Sequence, residues 1–334
     1  MNMAQVDATG STKELQAHPA EMLLCWHCGV TLAEMTADTR MSSGMRVCAN
    51  CMNKTHLKDG IWCALPPHRF EHFRKFIGEY QFIRAAEGRG STQAEYYLSL
   101  PYEDLSGRNS DQWNIRAHTF QMIEKRILTP LAKLNGRPLR ILDLGAGNGW
   151  MSYRLAIRGH FPIAVDLLTN SFDGLGAAIH YSTQIHPLFP RIQAELDWIP
   201  FASSSFDVAI FNASFHYSED YQRTFAEALR CIRPGGSVVI ADTPWYEEED
   251  SGKRMVAEKH DRFASIYGFP SDSVPSLEYL TPDRLHRLQK AFGLKWSCIR
   301  PFYGFRWALR PVRARLKRRR PPSQFHIYVA QVSA

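Results

Sequence analysis

Five mostly apolar residues, Arg140-Ile141-Leu142-Asp143-Leu144, run straight into Gly145-Ala146-Gly147-Asn148-Gly149. A run this short and apolar reads as a strand buried on both faces, and the glycines that stop it read as a turn into a helix. Further short β-rich runs follow at 162–166, 191–196, 206–212 and 237–242, with spacers at 151–158, 173–184 and 221–232 long enough for helices. The last spacer stops at Pro234-Gly235-Gly236, a strong helix-ending signal. Strands alternating with helices predict an α/β chain with a parallel, doubly wound sheet covered on both faces. Two more runs near the end, 295–299 and 325–331, carry no helical pattern between them and read as an antiparallel hairpin at the sheet edge.

The glycine loop narrows the chemistry. Glycines permit tight backbone angles and let a ligand come close to the main chain. Alone, Gly-x-Gly-x-Gly is weak evidence, since most such strings are turns. Here it lies at the carboxyl end of a strand, where open α/β sheets bind ligands. The second run ends in Asp166, an acid suited to hold a ribose diol through two hydrogen bonds. No Lys-Ser/Thr ending follows the loop, which disfavours nucleoside triphosphates, and the spacing is one residue short of a dinucleotide fingerprint.

Residues 137–245 resemble class I S-adenosylmethionine-dependent methyltransferases of the type-11, ubiquinone-biosynthesis-like branch. Four ordered motifs carry the likeness: Ile141–Gly149 (ILDLGAGNG), Asp166, the stretch Glu195-Leu196-Asp197-Trp198-Ile199-Pro200-Phe201 with Phe206-Asp207, and Arg230-Cys231-Ile232-Arg233-Pro234-Gly235-Gly236. Two departures are mild: Glu195 stands where Asp is usual, and Cys231 precedes Ile232 where Val-Leu is common. The resemblance implies a Rossmann-like sheet of seven strands with an antiparallel last strand. It implies that Asp143, Gly145, Ala146, Gly147 and Gly149 receive the methionyl end of S-adenosylmethionine, Asp166 the ribose, and Glu195 with Leu196 the adenine. Asn212, after the fourth strand, joins this cofactor set. The loop 212–218 would then face the methyl acceptor, with no Asp/Asn-Pro-Pro-Tyr string in it. His216 in that loop is either a general base, its reference pKa lying near neutrality, or a packing histidine.

Four of the seven cysteines fall in two Cys-x-x-Cys pairs, Cys25/Cys28 and Cys48/Cys51. Their separation suits a zinc site closed by four thiolates. A redox dithiol fits two matched pairs poorly, and His56 and Cys63 lie outside the pattern. Such a zinc ion would be structural. The segment around Val47–Leu65 resembles the N-terminal zinc module of bacterial ribosomal-RNA guanine methyltransferases and small zinc-ribbon partners of methyltransferases.

These features divide the chain into an arm (1–20), a zinc ribbon (21–66), a helical and aromatic connecting region on the acceptor side (67–136), and a methyltransferase domain (137–334) with a basic insertion at 300–320. The arm lacks the apolar core of an export signal, so the cytoplasm is the expected compartment. In the connecting region, residues 113–134 carry apolar positions at helical spacing. Tyr96 and Tyr97 read either as acceptor-side residues or as packing. The acidic run 247–250 reads as a solvated loop rather than a cation site.

The chain of 334 residues carries a net charge of +7, from 40 Lys and Arg against 33 Asp and Glu. Nine of those cations lie in residues 300–320, and removing them leaves 31 against 33. The charge is a local patch, not a coat for nucleic acid. An RNA surface, a membrane-interface segment and an exposed insertion all fit it, although Pro301 and Pro311 oppose one long helix. The expected function is methyl transfer to a small-molecule or lipid-linked acceptor. An RNA nucleobase methyltransferase using the ribbon and basic tail is one alternative, and a non-catalytic cofactor-binding scaffold is another.

Overall fold

A computed structural model describes residues 23–32 and 43–333; the arm at 1–20 lies outside the described residues. Ten strands form one sheet among them: β1 (Gly44–Val47), β2 (Lys54–Lys58), β3 (Ile61–Cys63), β4 (Arg140–Leu144), β5 (Phe161–Asp166), β6 (Arg191–Gln193), β7 (Phe206–Asn212), β8 (Ile232–Ala241), β9 (Trp296–Ile299) and β10 (Ile327–Gln331). Their order is β1-β2-β3-β6-β5-β4-β7-β8-β10-β9. The central strands β6, β5, β4, β7 and β8 run parallel, and β10 pairs antiparallel with both β8 and β9. This is a Rossmann-like α/β sheet.

The expectation of seven strands is corrected to ten. Seven of them, β4 to β10, make the expected sheet, and β1, β2 and β3 extend it. β3 pairs in parallel with β6, so the Cys-rich segment caps what would otherwise be an open edge with unpaired backbone groups. Burial follows the pairing. Leu23, Cys25, Leu32, Cys48 and Trp62 share one hydrophobic core with Val165 and Ile192 of the sheet and with Phe201. A second core, containing Phe120, Trp150, Met151 and Tyr181, covers the other face.

The helices show how local chemistry sets boundaries. Tyr221–Cys231 starts at Asp220, whose carboxylate accepts from the backbone N–H of Gln222 at 2.8 Å and Arg223 at 3.3 Å. The strand after it begins earlier than expected, at Ile232, and runs through Pro234-Gly235-Gly236 with a shifted register opposite Phe206 and Val208. The helical stretch expected at 113–134 is three pieces: Ser110–Ile123, a π-helical turn Glu124–Leu128, and Thr129–Asn135. Pro130 has no N–H to return to Arg126, which explains the widened turn before it. The spacer at 173–184 is 3₁₀ helix, Leu175–Thr183.

The tail also departs from expectation. Two short helices, Phe305–Ala308 and Arg310–Leu316, stand between β9 and β10 where none was expected. Pro311 sits in the first turn of the second, where its missing N–H costs nothing. The acidic run is not a plain loop: Glu249 opens the helix Glu249–Tyr267 and binds Arg284 at 2.6 Å.

Candidate functional site

The carboxyl ends of β4, β5 and β7 meet at a cavity. Gly145, Ala146, Gly147, Asp166, Leu196 and Asn212 all line it. The sheet brings them together because parallel strands deliver their C-terminal residues to one edge. Gly145 and Ala146 donate backbone hydrogen bonds to the Val165 carbonyl at 2.8 and 3.0 Å, pinning the loop to the neighbouring strand. Gly145 has φ +73°, and a Cβ there would overlap the Ser214 side chain, so no larger residue fits the turn.

Asp166 holds the floor. One carboxylate oxygen accepts from the Gly147 N–H and the other from the Leu168 N–H, each at 2.8 Å. Each oxygen keeps a lone pair for a ligand hydroxyl. Burial pushes this carboxyl up to about 6. Asp143 does not line the cavity. It lies beneath the loop, bonded to the Ser152 hydroxyl at 2.8 Å and the Ser152 N–H at 3.1 Å, and burial pushes it up to about 7. Gly149, with φ +77°, precedes the helix Trp150–Ala156 and packs on Phe189, away from the cavity.

Glu195 is the clear departure from the expected cofactor set. Its carboxylate turns to Arg69, which grips it with hydrogen bonds of 2.9, 2.9 and 2.6 Å, and it does not line the cavity. The physical reason is a partner 126 residues away in sequence. A buried carboxylate is costly unless paired, and the guanidinium fork satisfies it. Leu196, next to it, does face the cavity.

A second, larger chamber of about 1030 Å³ adjoins the first. Phe76, Tyr80, Arg84, Arg116, Ala213 and Tyr217 line both, so the two share a boundary. Phe76, Tyr80 and Arg84 come from the helix Pro67–Ala86. Sequence reading missed that helix as a wall, although Pro66-Pro67 is a helix-start signal. Arg84 is fixed there by an ion pair with Asp173. Arg116 was also missed. Its guanidinium lies 4.6 Å from the Trp113 ring centre, and burial, helped by nearby Arg89 and Arg84, pushes it down to about 10.

His216 lines this chamber. Burial pushes its imidazole down to about 4, so it is neutral at ordinary pH, and its Nδ1 has no hydrogen-bond partner. Asp242, one residue past β8, lines the same chamber. It adopts φ +51°, a left-handed backbone angle that Asp tolerates better than most side chains. Thr119 donates to its Oδ1 at 2.6 Å, Tyr303 lies 2.9 Å from the Thr119 hydroxyl, and Oδ2 has no partner. Burial pushes Asp242 up to about 6. Tyr96 and Tyr97 are buried and line neither space; Tyr97 donates to the Phe172 carbonyl at 2.6 Å.

The residues around the smaller cavity fit S-adenosylmethionine on their own geometry. The Asn212 side-chain oxygen is buried there with no partner, an acceptor without a donor, and Asp166 has acceptor capacity in reserve. Both suit a ligand rich in donors.

Cys25, Cys28, Cys48 and Cys51 form a separate cluster, with all four sulfurs within 4.8 Å of one another. Cys25 and Cys51 are 3.5 Å apart, as are Cys28 and Cys48. Tetrahedral Zn–S bonds of ~2.3 Å require sulfur separations of about 3.8 Å, so the cluster fits a zinc ion with slight expansion. The Val30 N–H pulls the Cys28 thiol down to about 6 and Asn53 lowers Cys51, whereas burial pushes Cys25 up to about 12, so thiolates form readily at two of the four positions. Cys63 lies in β3, outside the cluster, as does His56 in β2.

Residues 142–240 match the family described as a methyltransferase domain. A malonyl-[acyl-carrier protein] O-methyltransferase of Hahella chejuensis is 28% identical over 163 residues, covering 45% of this chain and 57% of that protein. The enzyme of the same name from Erwinia pyrifoliae is 26% identical over 135 residues, covering 40% and 48%. The chain thus spans about half the length of these curated relatives. Among solved structures, a Burkholderia thailandensis 1,6-didemethyltoxoflavin-N1-methyltransferase aligns at 15% identity with a TM-score of 0.44, covering 90% of this chain and all of that one.

Proposed function

We propose that this chain, which carries a class I S-adenosylmethionine-dependent methyltransferase domain, transfers a methyl group to a small-molecule or lipid-linked acceptor held in the larger chamber. One observation carries the reading: the glycine-loop cavity adjoins a chamber of about 1030 Å³, with six residues lining both. Donor and acceptor therefore have neighbouring spaces, as in-line displacement requires. The relatives named for a malonyl-carrier substrate support an acceptor of modest size, or one delivered on a lipid-like tether.

Bound S-adenosylmethionine supplies an electrophilic methyl group on its sulfonium. The chain's own residues do the rest. Asp166 would take two ribose hydroxyls, Asn212 a donor from the ligand, Leu196 an apolar contact with the adenine, and the backbone of Gly145–Gly147 the methionyl end. Asp143 would hold the loop from beneath, through Ser152. Phe76, Tyr80 and Tyr217 exclude water where the two spaces join. An acceptor with a hydroxyl or a protonated nitrogen needs a base. Among the described residues facing the chamber, Asp242 Oδ2 and His216 Nδ1 are partnerless atoms able to take a proton, which Arg89 Nη1, also partnerless, is not; Asp242 is the stronger base.

The four cysteines would hold zinc in a closed shell, stabilising the added sheet edge rather than taking part in transfer. In this reading residues 21–66 are a ribbon and 67–136 an acceptor-side region preceding the 137–334 domain.

The test uses S-adenosylmethionine labelled in its methyl group, with metabolite fractions separated by mass and a matched total-RNA fraction. Label in the low-mass or lipid-extractable fraction is expected. Label confined to RNA would reject the acceptor class while leaving the methyl-transfer reading intact. Failure to bind S-adenosylhomocysteine by calorimetry would reject both.

A further inference from the structure

In sequence the basic insertion at 300–320 fits an RNA surface, a membrane-interface segment or an exposed insertion. Its two helices instead bring Arg306, Arg310 and Arg313 to the wall of the larger chamber, beside Trp307 and Phe305. The Arg310 guanidinium lies 3.6 Å from the Trp307 ring centre, and Trp307 stacks on Phe325 with ring centres 5.4 Å apart, so the arginine is backed by a rigid platform. Arg116 lines the same chamber, set over Trp113.

The charges of this chamber do not balance. Seven cations line it: Arg84, Arg89, Arg116, Lys259, and the three arginines of the insertion. Four acids line it: Glu87, Asp111, Asp242 and Glu278. Arg84 is paired with Asp173, Arg89 with Glu87, and Lys259 with Glu278 at 2.7 Å. Among the described residues Arg116, Arg306, Arg310 and Arg313 have no carboxylate within ion-pair distance. Asp242 attracts Arg116 without touching it. Four guanidinium groups without ion pairs around a concave space, two of them (Arg116 and Arg310) set on aromatic faces, make a site for an anion, because the planar fork gains most from a carboxylate or phosphate.

We infer that the basic insertion is the anion-recognition wall of the acceptor chamber, and that the acceptor carries a carboxylate or phosphate group which Arg306, Arg310 and Arg313 bind together with Arg116. This rests on the chamber being the acceptor site. It gives the insertion a task distinct from that of Lys317, Arg318 and Arg319, which lie on the same insertion but do not line the chamber.

The test uses full-length protein saturated with S-adenosylhomocysteine, titrated by calorimetry with three probes of one shape: 2-naphthoate, 2-naphthyl phosphate and neutral 2-naphthol. One or both anions should bind at least about tenfold more tightly than 2-naphthol at physiological salt, a difference of about 1.4 kcal/mol, and the tighter anion names the group. The triple change Arg306→Gln, Arg310→Gln, Arg313→Gln should reduce that preference to within about twofold while S-adenosylhomocysteine affinity stays as in the wild type. Should the triple variant unfold, Arg306→Gln with Arg313→Gln, both exposed, should still lower the preference about threefold. Replacing Lys317, Arg318 and Arg319 by Ser should preserve it. No anion preference in the wild type, a preference retained in the triple variant, or an equal loss in the Lys317–Arg319 variant would each overturn the inference. Loss of S-adenosylhomocysteine binding by the wild type would instead strike the cofactor reading.

Discussion

Asp166 offers the most direct test of the cofactor site. Each of its oxygens already accepts one backbone N–H at 2.8 Å, and each has room for one ribose hydroxyl. A hydrogen bond to a charged group contributes about 1.5–3 kcal/mol. Asp166→Ala removes two of them and strands the Gly147 and Leu168 N–H groups. The loss is then at least ~3 kcal/mol, about 150-fold in the dissociation constant for S-adenosylhomocysteine.

A second signature needs no mutation. Burial pushes the free carboxyl up to about 6, whereas hydroxyl donors select its ionised form. Affinity should be full above about pH 7 and fall by about tenfold per unit below pH 6. The sign for stability is opposite. A raised carboxyl holds its proton longer in the folded chain than in the unfolded one. Its stabilising contribution to the ligand-free protein is therefore complete below about pH 4 and is lost as pH rises through about 6. Asp143, also raised, does not line the cavity, so Asp166→Asn separates the two: it should bind more weakly at neutrality and show a flatter profile. Calorimetry between pH 5 and 8, with melting curves to verify folding, reads both effects. Wild-type affinity in Asp166→Ala, or a wild-type profile flat from pH 5 to 7, would refute the argument.

Gly145→Ala should abolish S-adenosylhomocysteine binding and destabilise the chain by more than the ~1–2 kcal/mol of a left-handed backbone angle, since the new Cβ meets Ser214; an unchanged melting temperature would contradict this. Purified protein should carry about one zinc ion per chain by elemental analysis. Cys48→Ser should lose it and lower the melting of the whole molecule, because Cys25 and Cys48 are buried in the main core; metal-free protein of undiminished stability would dispose of the site. If Asp242 is the base, turnover with a hydroxyl or amine acceptor should show an acidic limb near pH 6 that disappears in Asp242→Asn. A limb near pH 4, removed by His216→Ala, would give the role to His216.

The sequence alone determined what depends on near neighbours. A strand ending in glycines forces a turn at Gly145–Gly149 wherever the segment is buried. The runs at 206–212 and 162–166 become strands because they are too short for a helix and carry the β-branched and aromatic residues that pack well on a sheet. Each Cys-x-x-Cys pair sets its two sulfurs on one local turn, while the meeting of the two pairs is a tertiary contact. Contacts between distant segments were decided only by the tertiary structure. The Cys-rich segment became three extra strands because the β6 edge had unpaired backbone groups to satisfy. Glu195 left the cavity because Arg69, 126 residues earlier, reaches its carboxylate. His216 is held neutral by burial among side chains from several elements, which no local pattern encodes. Three arginines of the run at 300–320 reached the chamber wall, while most of the run stayed exposed, because Pro311 allows two short helices and Trp307 finds Phe325 to stack upon. Local sequence sets backbone shape and residue chemistry; which charges share a cavity depends on how the sheet gathers chain ends that lie far apart.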